Sequence, residues 1–213
     1  MRLKTPAAPN LPLATTQYER RYQDQLNNVL RLYFNQLSSV VASALGTNGG
    51  QYIECPNGLF FNTADQTFAA TNTAYPVVYS ATYLNNAVSL VLGSTSKIQV
   101  SIGGVYNFQY TGQVLSSSAS AKTIYLWIAR NGTDIGYSTR AETVTTNNGY
   151  TGINFSFDID LAEGDYIELK AAVTDTNLKL DAVTATSPHP GIPSSVMSVN
   201  YIAPLPDPRP TPP

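Results

Sequence analysis

Two hydrophobic periods divide the chain. Between about Thr16 and Leu45, Tyr22, Leu26, Val29, Tyr33, Leu37, Val40 and Ala44 recur at spacings of three and four, the period of one helix face. Leu30, Phe34, Val41 and Leu45 add a second stripe beside the first. Thr16-Gln17-Tyr18-Glu19 has capping-box spacing, in which the hydroxyl and carboxylate satisfy free amides at a helix start. Gly46 and Asn48-Gly49-Gly50 supply the stop. A helix of this size is roughly 40 Å long at about 1.5 Å per residue, and its wide apolar face needs cover. Self-association provides it; packing on the chain's own β-domain is the alternative.

From residue 51 onward the period falls to two. Val105-Tyr106-Asn107-Phe108-Gln109-Tyr110 alternates, and so does the run 153–161, which sets Phe155, Phe157, Ile159 and Leu161 on one face. Further strands are predicted near 75–83, 87–92, 97–102, 123–130, 140–145, 166–173 and 196–202, with turns at Asn131-Gly132 and Asn147-Asn148-Gly149. Many short strands at this spacing predict a sandwich or barrel. The expected organisation is an arm and amphipathic helix over 1–50, a linker over 51–73, a β-domain over 74–203 and a proline-rich tail over 204–213. The arm carries Pro6, Pro9 and Pro12 without periodicity of its own, and reads as an extended segment able to lie across another surface. The six prolines of the tail favour polyproline II.

Composition narrows the function. Charged residues make up 12% of the chain, against about 25% in an average soluble domain, and the net charge is −2 with no Lys/Arg cluster. Direct nucleic-acid binding is therefore not expected. One cysteine, Cys55, cannot form an intrachain disulfide. No apolar run approaches the roughly 18 residues of a membrane span, and the first residues lack the apolar core of a signal peptide. A membrane partner is not expected.

Three motifs carry a resemblance. Gly104-Val105-Tyr106-Asn107-Phe108 resembles the G-x-Y-x-F strand of C1q/TNF-like globular heads. Ile128-Ala129-Arg130-Asn131-Gly132 resembles their L-x-[KR]-N-G turn, and the run 161–169 resembles their L-x-x-G-D-x-[VI]-x-L hairpin. The resemblance covers about 74–202 and implies a jelly-roll β-sandwich that assembles about a threefold axis. There is no collagen-like stalk, and a loop over 181–195 with the proline tail replaces the compact ending of the animal proteins. The stretch 18–37 resembles the leader of structural proteins of aquatic bacteriophages, which often precedes such a head. The combination resembles capsid-decorating or fibre proteins. It implies a homotrimer, made in the host cytoplasm and carried in the virion, that grips the capsid or another virion protein through its arm and helix. Tyr22, Leu26, Val29, Leu30, Tyr33, Phe34 and Leu37 are the candidate oligomer or capsid contacts.

Candidate chemistry is sparse. His189 lies between two prolines, and Cys55 in a Cys-Pro-Asn stretch, with no partner of recognisable spacing for either. Asp158, Asp160, Glu163 and Asp165 form the densest acidic group; it reads as a solvated face leading into a tight turn, with calcium ligation as the alternative. Gly103-Gly104 leads into a strand and is no phosphate loop. No cofactor and no catalytic residue is expected. The run 123–130 is apolar on both faces, with Ile124, Leu126 and Ile128 on one and Tyr125, Trp127 and Ala129 on the other. Tyr125 and Trp127 are thus candidate interface aromatics, to be met by a neighbouring subunit, the proline tail or a sugar. The leading expectation is a non-enzymatic virion protein acting by adhesion. The alternatives are a receptor-binding fibre tip that recognises host glycans and, with no site to support it, a depolymerase.

Overall fold

The computed structural model describes residues 6–13, 17, 19–45 and 55–205. The chain divides into two compact units, Met1–Glu54 and Cys55–Pro213. It is mainly β, with antiparallel pairing throughout its strand ladders and one α-helix among the described residues.

In the first unit α1 spans Arg20–Leu45. The expected start at Thr16 and stop at Gly46 lie outside the described residues. The first stripe is the better covered face, with Tyr22, Leu26, Val29, Tyr33, Leu37 and Val40 half-buried, while Leu32, Phe34 and Val41 stand in solvent. No described side chain of the helix is fully buried. The arm carries no helix or strand over 6–13, and its half-covered residues there are Pro6, Pro9 and Pro12. That period of three suits a polyproline II turn. It contacts the helix where the Tyr22 hydroxyl donates to the Pro12 carbonyl at 3.4 Å.

The second unit contains β1 (Asn57–Asn62), β2 (Gln66–Thr67), β3 (Tyr75–Pro76), β4 (Ala81–Asn86), β5 (Val88–Leu90), β6 (Ile98–Val100) and β7 (Gly104–Ser116). These are followed by β8 (Lys122–Arg130), β9 (Thr133–Asp134), β10 (Arg140–Val144), β11 (Gly149–Leu161), β12 (Tyr166–Val173), β13 (Leu178–Leu180) and β14 (Ser195–Ala203). The first sheet runs β4-β1-β14-β7-β11, with β13 and β2 continuing from the far end of β7. The second runs β10-β8-β12, then β6 and β5, with β3 also on β12 and β9 on β8. Their inner faces share one core in which Phe60, Tyr106, Phe108, Ile128, Leu161 and Leu169 are fully buried.

Alternation explains the long strands. Burial changes at every residue along all thirteen of β7 from Gly104 to Ser116, so the apolar set points inward and Asn107, Gln109 and Thr111 point out. β7 pairs with β11 from Gly104↔Leu161 to Gly149↔Ser116. The pairs nest along the chain. β1 joins β14 in the first sheet, β3 and β6 join β12 in the second, β7 joins β11 in the first, and β8 joins β10 in the second.

Two expectations need correction. The segment 51–73, read as a linker, contributes β1 and β2 to the first sheet and Phe60 and Phe68 to the core; the second unit begins at Cys55. The single strand expected over 75–83 is two, because the chain changes sheets within it. Val77 N–H donates to Leu169 of the second sheet and Ser80 N–H to Phe61 of the first, while Val77 and Tyr79 fill the core between.

Turn chemistry fixes the connections. Asn131 and Gly132 both have positive φ, 50° and 85°, as a two-residue hairpin turn requires. Gly164 sits at φ 85° in the turn between β11 and β12. The two turns are bonded together. Asn131 Nδ2 donates to Asp165 Oδ1 at 2.8 Å, and Tyr166 N–H donates back to Asn131 Oδ1 at 2.9 Å. The second and third motifs, about thirty residues apart in the chain, therefore form one corner.

Candidate functional site

Each sheet has an outer face, and the candidate residues distribute over them. On the second sheet the register sets out a flat array. Tyr125 of β8 lies between Ala141 of β10 and Ala172 of β12, and Trp127 lies beside Lys170 of β12. Tyr125 is exposed and Trp127 half-buried, whereas Ile124, Leu126 and Ile128 on the opposite face are wholly in the core. The two apolar sides expected of this strand are thus resolved, one as core and one as an outward aromatic row. Beyond Tyr125 comes a row of hydroxyls, in which Thr123 and Thr143 are hydrogen-bonded at 2.9 Å and Thr174 Oγ1 accepts from Thr123 N–H at 2.9 Å.

Polar groups fix the Trp127 end. Lys170 Nζ donates to Asp134 Oδ1 at 2.8 Å. The hydrogen bond from that ammonium holds the Asp134 carboxyl below the usual carboxylate range. Further along the face Ser96 Oγ donates to Glu168 at 2.7 Å, and the Lys97 ammonium stands 5.0 Å from the centre of the Tyr166 ring. At the edge of β8, the loop between β9 and β10 is anchored by Ser138, whose hydroxyl accepts from Ile128 N–H at 3.1 Å and donates to Ile135 O at 2.8 Å. The preceding residue, Tyr137, is 99% exposed at φ 60°, a conformation that costs a bulky residue energy.

The first sheet's outer face is different. Its centre is a ladder of short polar side chains, where Asn107 Nδ2 donates to Ser156 Oγ at 2.8 Å and to Asp158 Oδ1 at 2.6 Å. Toward β1 and β4 lies an apolar cleft of about 710 Å³, walled by Leu59, Phe61, Tyr83, Val183, Ile192 and Val196. The wall from 183 to 192 is a strap closed by paired backbone hydrogen bonds between Val183 and Ile192. Its root is tied by Lys179, whose ammonium bridges Asp65 and the buried Asp181; the hydrogen bond from Lys179 lowers the Asp65 pKa and the paired carboxylates raise that of Lys179. The cleft was not anticipated, because β1 lay inside the expected linker. The signal for it is Leu59-Phe60-Phe61, three apolar residues in a row that suit a strand covered on both faces.

The remaining candidates separate. His189 is exposed in the strap, its Nδ1 3.0 Å from the Pro190 carbonyl oxygen. Cys55 is exposed, and its carbonyl accepts from Asn57 and Asn86. Asp158 faces Asn107, Asp160 pairs with Arg130 at 3.3 Å, and Asp165 accepts from Ala162 N–H at 2.9 Å inside the turn. Among the described residues no group of three or more acidic, histidine or cysteine side chains is placed to hold a metal ion, and no helix is long and apolar enough to cross a membrane. No protein-family model matches the chain, and no curated protein matches it in sequence.

Proposed function

We propose that the chain is a structural component of a bacteriophage particle, a homotrimeric capsid-decorating or head-fibre protein that acts by adhesion and without catalysis. The observation that carries this reading is the division into a folded β-unit and a 26-residue helix with no fully buried described side chain. A helix with Tyr22, Leu26, Val29, Leu30, Tyr33 and Leu37 along one side, only half covered within its own chain, gains by burying them against another molecule. In this proposal the partners are two further copies and a capsid or other virion protein; the site is the virion, after synthesis in the host cytoplasm.

The β-unit supports the family part of the reading. Four nested antiparallel pairs that alternate between facing sheets are how a jelly roll is wound, and the motifs resembling C1q/TNF-like heads fall on β7, on the β8–β9 turn and on the β11–β12 corner. Gly104, which opens the first motif, has a structural reason to be glycine, since a Cβ there would collide with the Tyr201 ring.

The test separates the two units. Full-length protein is weighed in solution and co-sedimented with particles lacking it, alongside a variant with Leu26, Leu30 and Leu37 replaced by polar residues. Trimeric mass for the wild type, with attachment or assembly weakened in a variant whose near-ultraviolet spectrum is unchanged, is the expected outcome. A monomeric wild type, or a variant that decorates particles as well as the parent, overturns the proposal.

A further inference from the structure

The outer face of the second sheet has features of a ligand site that adhesion through the helix does not use. Tyr125 and Trp127 are two residues apart on one strand, so their side chains leave the same face about 6.6 Å apart at roughly 3.3 Å per residue. Their cross-strand neighbours around Tyr125 are Ala141 and Ala172, too short to cover its ring. Tyr125 remains 37% exposed. Lys170, the cross-strand neighbour of Trp127, is itself held by its bond to Asp134 at 2.8 Å. Such support on regular strands is what holds a binding row to one geometry.

The chemistry of the surroundings selects the ligand. The charged groups of this face come as opposites, with Asp134 against Lys170 and Lys122 paired to Asp175 at 2.8 Å, while Lys97 over the Tyr166 ring and Glu168 on Ser96 add one charge of each sign. There is no net field to attract a polyanion or polycation. A protein partner is poorly matched as well, since a stable interface wants an apolar centre with charge confined to its rim, and here the charged pairs and the threonine row stand directly beside two aromatics. A pyranose presents both surfaces required: a C–H face that meets the negative face of an aromatic ring, and equatorial hydroxyls that bond to carboxylate, ammonium and hydroxyl groups at its edge. Tyr137, at φ 60° beside the Ser138 anchor on β8, is a third bare aromatic in the adjoining β9–β10 loop. Strain kept at an exposed aromatic is a mark of a functional position.

We propose that this face binds a neutral oligosaccharide, with Tyr125 and Trp127 stacking on successive sugar faces and Asp134, Lys170 and the Thr123–Thr143 hydroxyls holding its edge. The site is independent of the helix and of the oligomer it forms.

Trp127 is the single tryptophan of the chain, so its emission reports the site directly. Full-length protein is titrated to millimolar concentration with hexasaccharides of glucose, galactose, mannose and N-acetylglucosamine, and with hexagalacturonate as the anionic comparison. At least one neutral hexamer is expected to shift or quench the emission saturably. Tyr125→Ala, a change at an exposed position, should weaken that hexamer at least about tenfold, equivalent to about 1.4 kcal/mol, with the thermal midpoint unchanged. Trp127→Leu, followed by calorimetry, should lose the binding heat. No response to any neutral hexamer, a response to hexagalacturonate alone, or undiminished affinity in Tyr125→Ala overturns the proposal. Because these titrations use no particles, they leave the attachment test untouched.

Discussion

Tyr106 and Tyr110 offer a comparison in which one substitution has opposite signs. Both point inward from β7, four residues apart, and both are essentially excluded from solvent. The Tyr106 hydroxyl donates to the Ile102 carbonyl at 2.6 Å. The Tyr110 hydroxyl is buried without a hydrogen-bond partner, over Gly112, whose missing side chain makes room for it. Tyr106→Phe removes a made bond and should cost about 1 kcal/mol. Tyr110→Phe relieves an unmet desolvation penalty of about 1–3 kcal/mol and loses the packing of one oxygen, for a net gain of about 1 kcal/mol. The two variants should therefore differ by about 2 kcal/mol, or about 4–8 °C in midpoint for a chain of this length. Urea unfolding followed by Trp127 emission, at one protomer concentration and with unchanged slope, measures the difference. If Tyr110→Phe destabilises as much as Tyr106→Phe, the hydroxyl is satisfied in solution and the account of this core is wrong.

Alkali should unfold the protein through the same side chains. Burial pushes the Tyr106 hydroxyl up to about 12 and raises those of Tyr79 and Tyr110 as well, while in the unfolded chain they ionise near 10. Above about pH 10 the unfolded state has thus released protons that the folded state retains, and stability falls with rising pH; a thermal midpoint unchanged between pH 9 and 11.5 contradicts this. Gly104→Ala should cost about 1–3 kcal/mol, because the added methyl must displace the Tyr201 ring and the Ala203 backbone. Double substitution with Tyr201→Ala should recover part of that loss, and a purely additive result places the cost elsewhere.

The elements legible in the sequence are those whose burial is set by one long partner. β7 and β11 alternate over thirteen residues because each is core on one side and solvent on the other. β1 was hidden for the opposite reason. Phe60 faces the core while Leu59 and Phe61 line the cleft, so no alternation appears, and flanking Pro56, Asn57 and Asn62 resemble loop residues. β2, β3, β9 and β13 are two or three residues long and exist only by pairing with a neighbour, which no local pattern announces. The aromatic row was legible because Tyr125 and Trp127 leave apolar residues on both faces of one strand. Asp134 and Lys170 were not. They stand 36 positions apart and meet only because β9 and β12 both pair with β8.

The cleft and the aromatic row lie on opposite surfaces of the same sandwich, since the inner faces of both sheets are spent on the core. A single contact with a neighbouring copy cannot cover both. The two surfaces also differ in kind: the first sheet carries an apolar cleft of about 710 Å³ toward β1 and β4, and the second sets its aromatics directly among paired charges. Burying charge pairs at an interface is costly unless each is fully satisfied there, whereas apolar walls gain by leaving water. In the proposed oligomer, subunit contact through the β-unit therefore favours the cleft side of the first sheet. Such a trimer would direct the aromatic face outward, and self-association and ligand recognition would occupy different sides of each copy without competing.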